Sequence, residues 1–199
     1  LLPFEPPYMQ AAGMTCDFVG HPVVTEPQAT PEERAALRRE LAIAPDQPLL
    51  LLLPGSRGGE VRRLAPVFTA VARQLRQRHP DLAIVVPAAA PVAGSLATLM
   101  TPDAAGWPHT LDPRGLPEAQ ARKRAAFGAA DVALAASGTV SLELAAADTP
   151  MVIAYDANPL TVLVVKRLIR VDTATLVNLV TDTRVVPEFL FDRCEPAAI

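Results

Sequence analysis

Two short stretches place residues of a suitable kind and spacing to hold a phosphate. In PGSRGGE (54–60), Gly55 permits a tight turn, Ser56 offers a hydroxyl, and Arg57 offers a fork of N–H donors that matches phosphate geometry. In ASGTVSLE (136–143), Ser137, Gly138 and Thr139 are small or polar, and Glu143 follows about one helical turn later. A carboxylate is a poor phosphate ligand but a good acceptor for paired hydroxyls such as those of a ribose. Both stretches begin where an apolar run ends and a helical pattern starts. Backbone N–H groups are unpaired there and the helix dipole favours an anion. Two such turns in one sheet point to a nucleotide diphosphate rather than a lone anion. Each also has a plainer reading. Arg57 can be a solvated side chain after a glycine turn. Ser137 or Thr139 can cap a helix whose dipole Glu143 complements.

Other chemistry finds little support. The first turn has neither the GK[ST] of a Walker A loop nor a GxGxxG pattern. No GxSxG elbow and no DxD metal motif occurs. His21, His79 and His109 stand far apart, without metal-ligand spacing, and His21 in VGHPVV reads as a linker residue. Cys16 and Cys194 lack CxxC spacing and read as ordinary cytosolic thiols. With a formal net charge of −3, the chain has no basic excess to suggest nucleic-acid binding.

The elements that must position these turns follow from hydrophobic patterning. Thr30, Pro31 and Glu33 form a capping-box signature for a helix running to about Ala44. The apolar run LLLLL (49–53) predicts a buried parallel strand. Val61, Leu64, Phe68, Val71 and Leu75 recur at helical spacing, with Pro66 requiring either a late start or a kink. Strands are expected at 82–86, 132–136 and 151–155, and helices at 118–130, 139–147 and 160–170. Residues 1–30 read as irregular, with a short strand at DFVG (17–20), and the proline-rich stretch after residue 87 is left unassigned. Alternating strands and helices imply an α/β fold: a Rossmann-like parallel sheet with helices on both faces. The 199 residues suit one large domain, or one with a piece of another. The chain opens on LLPFEPPYM without an initiator Met and ends on CEPAAI, as expected of a fragment cut at both ends.

These motifs and their surroundings resemble the lipid-A-disaccharide synthase family. The resemblance runs in order through LPFE (2–5), FVGHP (18–22), LLPGSRGGEV (52–61), DLAIVVP (81–87), ALAASGTVSLE (133–143), TPMVIAY (149–155), NPLTVLVVKRLI (158–169), LVNLV (176–180) and VVPEFL (185–190). It implies the C-terminal domain of a glycosyltransferase B fold. Residues 1–20 would then end the N-terminal acceptor domain and linker, and 21–199 would form the nucleotide-sugar-binding domain, truncated at its C-terminus. The implied reaction is an inverting transfer of 2,3-diacylglucosamine from UDP to 2,3-diacylglucosamine 1-phosphate (lipid X), giving a β-1,6 disaccharide 1-phosphate and UDP.

The resemblance also implies residue roles. Gly55, Ser56, Arg57, Ser137, Gly138 and Thr139 would hold the diphosphate, with Arg57 stabilising the leaving group. Glu143 would bind the ribose and Asn178 would lie near the donor. Part of the uracil pocket would come from 107–126, and the general base from outside this chain, leaving the fragment a poor catalyst alone. Metal is not expected, and the UDP-sugar is a substrate rather than a cofactor. The lipid substrates and the basic-apolar segment 160–170 suggest peripheral contact with the cytoplasmic face of the inner membrane. The sequence leaves room for a homo-oligomer. Two alternatives stay open: an enzyme like UDP-N-acetylglucosamine 2-epimerase, and a non-catalytic nucleotide-binding fragment.

Overall fold

Five consecutive leucines can be buried along their whole length only if both faces of their strand are covered, and the fold meets that condition. The structure, a computed structural model, describes residues 2–158, 162 and 173–199. Among the described residues, six strands form one sheet: β1 (Leu49–Leu53), β2 (Ala83–Pro87), β3 (His109–Leu111), β4 (Val132–Ala135), β5 (Met151–Tyr155) and β6 (Glu188–Leu190). Their order is β3-β2-β1-β4-β5-β6 and every neighbouring pair is parallel. The order reverses between β1 and β4, which pair directly, with Leu53 opposite Ala135. Crevices that bind ligands form at such a reversal, beyond the carboxyl ends of the strands.

Alternation along β1 divides the core. Leu49, Leu51 and Leu53 pack in one cluster with Leu37, Phe127 and Leu144, carried by α2 (Pro31–Glu40), α5 (Ala119–Ala129) and α6 (Val140–Ala146). Leu50 and Leu52 pack in the other with Leu64, Phe68 and Leu96, carried by α3 (Gly58–Arg78) and α4 (Ala93–Leu99). Successive strand side chains point to opposite faces, so a single run supplies both layers. This is the expected parallel sheet with helices on both faces.

The capping box at α2 forms as written in the sequence. Thr30 Oγ1 accepts from the Glu33 N–H at 3.2 Å, and Glu33 Oε2 accepts from the Thr30 N–H at 2.8 Å. The helix stops at Glu40 rather than near Ala44, because Ala42 takes a left-handed backbone with φ of 54°. The helix α3 begins at Gly58, earlier than expected, and continues through Pro66. Pro66 lies on the exposed face, so the Arg62 carbonyl it leaves without an N–H partner has access to water.

Elsewhere the structure differs from the sequence expectation. DFVG is not a strand: Val19 is 94% exposed and no described strand lies beside it to pair. The N-terminal segment instead holds the short helix α1 (Pro6–Ala11). The unassigned stretch after residue 87 contains α4, and β3, β6 and helix α7 (Leu176–Thr181) appear where the sequence reading had none. The expected helix at 160–170 lies outside the described residues. Among the described residues, no helix is long and apolar enough to cross a membrane.

Candidate functional site

A cleft of about 570 Å³ opens at the carboxyl ends of β1 to β4, across the β1/β4 reversal. The turn after β1 contributes Gly55, Ser56, Arg57 and Glu60, and the turn after β4 contributes Ser137, Gly138, Thr139 and Glu143. Ala88, Leu111 and Leu116 add apolar wall from the β2 and β3 side. The two stretches singled out in the sequence, about eighty residues apart, therefore face one space.

The first turn is shaped by Gly55 and Glu60. Gly55 has φ of +112°, which side-chain-bearing residues rarely adopt. A Cβ there would lie 2.1 Å from Glu60 Oε2. That oxygen accepts from the Ser56 N–H at 2.9 Å, so the third residue of α3 folds back and fixes the turn before its own helix. Arg57 occupies the N-cap position of α3, where no side chain makes a cap bond. It is exposed at the cleft and makes no ion pair among the described residues. A guanidinium beside a cleft without a protein carboxylate partner has its donor fork open to an anion.

At the second turn Thr139 stands at the N-cap of α6, and the helix carries no side-chain cap, although Glu143 stays in its first turn. The Ser137 hydroxyl is directed elsewhere: it donates to the Ala174 carbonyl at 2.8 Å. Gly138, with φ of +151°, meets no atom within 4 Å where a side chain would begin. Glu143 is half-buried and pairs through Oε2 with Lys123 of α5, which leaves Oε1 for another donor. Lys123 also sits over the Phe127 ring, 5.2 Å from its centroid, so packing helps hold the ammonium beside Glu143.

Asn178 does not reach this space. It is fully buried, and its amide is committed to Val186: Oδ1 accepts from the Val186 N–H at 3.0 Å and Nδ2 donates to the Val186 carbonyl at 3.0 Å. Its helical neighbour Leu176 lines the cleft instead. His21 acts locally, its Nδ1 accepting from the Val23 N–H at 3.2 Å. Among the described residues, no group of three His, Cys, Asp or Glu side chains could hold a metal.

Sequence reasoning missed Glu60, Lys123 and Asp112 at the cleft. The Arg114 guanidinium hydrogen-bonds both oxygens of Asp112 and holds its carboxyl down to about 2. Glu60 carried a readable signal, three residues after the N-cap of its helix, the position from which a capping-box carboxylate reaches back. Lys123 lay in the segment 118–130, where the sequence was read only as a helix.

A family model described as Lipid-A-disaccharide synthetase matches residues 1–199. The chain belongs to this family. It is 61% identical over 201 residues to a lipid-A-disaccharide synthase of Ruegeria pomeroyi, covering 100% of this chain and 50% of that protein. To the synthase of Rhodospirillum centenum it is 46% identical over 196 residues, covering 98% of this chain and 47% of that protein. The chain thus spans about half the length of the curated synthases it matches. In fold it is similar to E. coli ADP-heptose LPS heptosyltransferase II, with a TM-score of 0.57 at 11% identity over 86% of this chain and 50% of that one. This likeness agrees with the expected half of a glycosyltransferase B fold.

Proposed function

We propose that the cleft holds the UDP portion of an acylated nucleotide sugar, and that the full-length protein transfers 2,3-diacylglucosamine from it to lipid X with inversion. The observation that carries this reading is the convergence of both phosphate-type turns on one cleft at the β1/β4 reversal. The family match favours it over the 2-epimerase alternative.

In this reading, Ser56 and Arg57 take one part of the diphosphate. The Ser137–Thr139 turn takes the other through backbone N–H groups and the Thr139 hydroxyl. As the acceptor 6-hydroxyl attacks the anomeric carbon, the bond to the diphosphate oxygen breaks and negative charge grows on departing UDP. Arg57 stabilises that charge. Glu143 accepts from the ribose hydroxyls through the oxygen that Lys123 leaves open. The base that takes the acceptor proton is assigned to the protein outside residues 1–199. Residues 1–20 are assigned to the end of the acceptor domain and linker. Contact with an anionic membrane surface belongs to the same proposal, supported by the acylated substrates and the basic-apolar sequence 160–170. Co-sedimentation with anionic vesicles at low salt tests it, and its absence removes that part.

The deciding experiment is calorimetric titration of the full-length protein with UDP, beside Arg57→Ala and Glu143→Ala. Loss of one charge-assisted hydrogen bond of about 1.5–3 kcal/mol predicts roughly 10- to 100-fold weaker binding in each variant. UDP binding indifferent to both substitutions refutes the site.

A further inference from the structure

The Ser137 hydroxyl leads away from the cleft into a buried polar network that ends on the sheet edge. The Ala174 carbonyl, which accepts from Ser137 at 2.8 Å, belongs to a strap of three residues, 173–175. One oxygen of Glu188, the first residue of β6, holds this strap. Glu188 Oε1 accepts from Thr173 Oγ1 at 2.8 Å, from the Ala174 N–H at 3.0 Å and from the Thr175 N–H at 2.6 Å. Asn178 anchors the same strap from its other side, its Nδ2 donating to Thr173 Oγ1 at 3.3 Å as well as to Val186. Thr173, Thr175 and Asn178 are all buried, at 2%, 0% and 0% exposure. Glu188 itself does not line the cleft, whereas Ser137, bonded to the middle of the strap, and Leu176, which follows it, do.

Three donors converging on one carboxylate oxygen fix the strap's backbone, because a charge-assisted acceptor is stronger than a neutral one. With the strap fixed, the Ala174 carbonyl becomes a rigid acceptor. It sets the Ser137 rotamer and, with it, the start of the turn that continues through Gly138 and Thr139. Among the described residues, the Thr175 hydroxyl is buried without a hydrogen-bond partner, so the strap is held through its backbone N–H groups and the Thr173 hydroxyl.

We propose that Glu188 is a positioning residue for nucleotide diphosphate binding, acting through the strap on the Ser137–Thr139 turn, with Asn178 as its second anchor. The inference rests on the reading of the cleft as a UDP site. It gives Asn178 an influence on the donor without contact.

The test is UDP calorimetry on the full-length protein for wild type, Glu188→Ala, Glu188→Gln, Ser137→Ala and the Glu188→Ala/Ser137→Ala double variant, with Arg57→Ala as the control for the site. Circular dichroism melts report folding. Glu188→Ala and Ser137→Ala are each expected to weaken UDP roughly three- to tenfold, and the double variant no more than the worse single, as for members of one network. Glu188→Gln, whose amide oxygen still accepts, restores most of the affinity. A folded Glu188→Ala with wild-type affinity overturns the proposal, as do additive losses in the double variant. Should Glu188→Ala fail to fold, Glu188→Asp decides: it keeps the charge but withdraws the oxygen by one methylene, and unchanged affinity overturns the proposal. If wild type and Arg57→Ala bind UDP equally, or neither binds, the nucleotide reading fails instead.

Discussion

The Glu60 carboxylate accepts the Ser56 N–H at 2.9 Å, passing through the space that a side chain on Gly55 would occupy. Glycine at 55 is therefore required twice, by its φ of +112° and by the carboxylate lying 2.1 Å from an added Cβ. Gly55→Ala should destabilise the protein by about 1–3 kcal/mol, through the strained backbone and the displaced Glu60. UDP affinity should fall as well, because Ser56 and Arg57 lose their fixed turn. Denaturant midpoints and UDP calorimetry on the same preparations check both. A variant with wild-type stability would show that the turn relaxes without cost.

Lys123 should matter to nucleotide binding although it sits one helix away from either turn. It neutralises Glu143 and is held by the Phe127 ring. Lys123→Met keeps much of the packing but leaves Glu143 as a lone negative charge in a cleft proposed to receive a diphosphate. UDP affinity is expected to drop by roughly tenfold at low salt, and by less as salt screens the repulsion. Lys123→Arg should recover part of the loss. A salt-independent effect of Lys123→Met would point to packing instead.

Cys194 supplies a pH signature. Burial, and secondarily the nearby charge of Asp156, push its thiol up to about 11 from an ordinary value of 9.0. The folded state thus holds this proton more tightly than the unfolded chain does. Its contribution to stability is complete below pH 9.0 and is lost as pH rises through about 11. Melting temperatures of wild type should fall more steeply across that window than those of Cys194→Ala. At pH 8 the thiol stays protonated, so iodoacetamide should label it slowly in native protein and quickly once guanidinium unfolds the chain.

Much of the frame was legible because its signals were local. LLLLL predicted β1 from 49 to 53 without error at either end, since burial on both faces forces a continuous apolar run. Thr30 and Glu33 carry their own geometry in four residues. Both turns were readable as abrupt changes from apolar to small polar residues. The elements that were missed lack such signals. With three residues each, β3 and β6 are too short to display a period, and β6 is half-buried throughout. DFVG has strand-like residues but no neighbouring strand, and propensity does not create a partner. At the site, the hidden relationships are long-range. Neither the pairing of Lys123 with Glu143 nor the grip of Glu188 on the strap leaves a spacing to read, because the fold alone brings those residues together.

The direct pairing of β1 with β4 works as a gauge. Neighbouring strands in a sheet stand about 4.7–4.9 Å apart, and here one hydrogen-bonded ladder, with Leu53 opposite Ala135, sets how far apart the two turns begin. None of the chain between them enters that measurement. Loops and helices from α3 to α5 can lengthen, shorten or change composition among relatives while the gauge keeps its setting. A single-residue slip in the β1/β4 register would alter it at once, whatever side chains the turns retained.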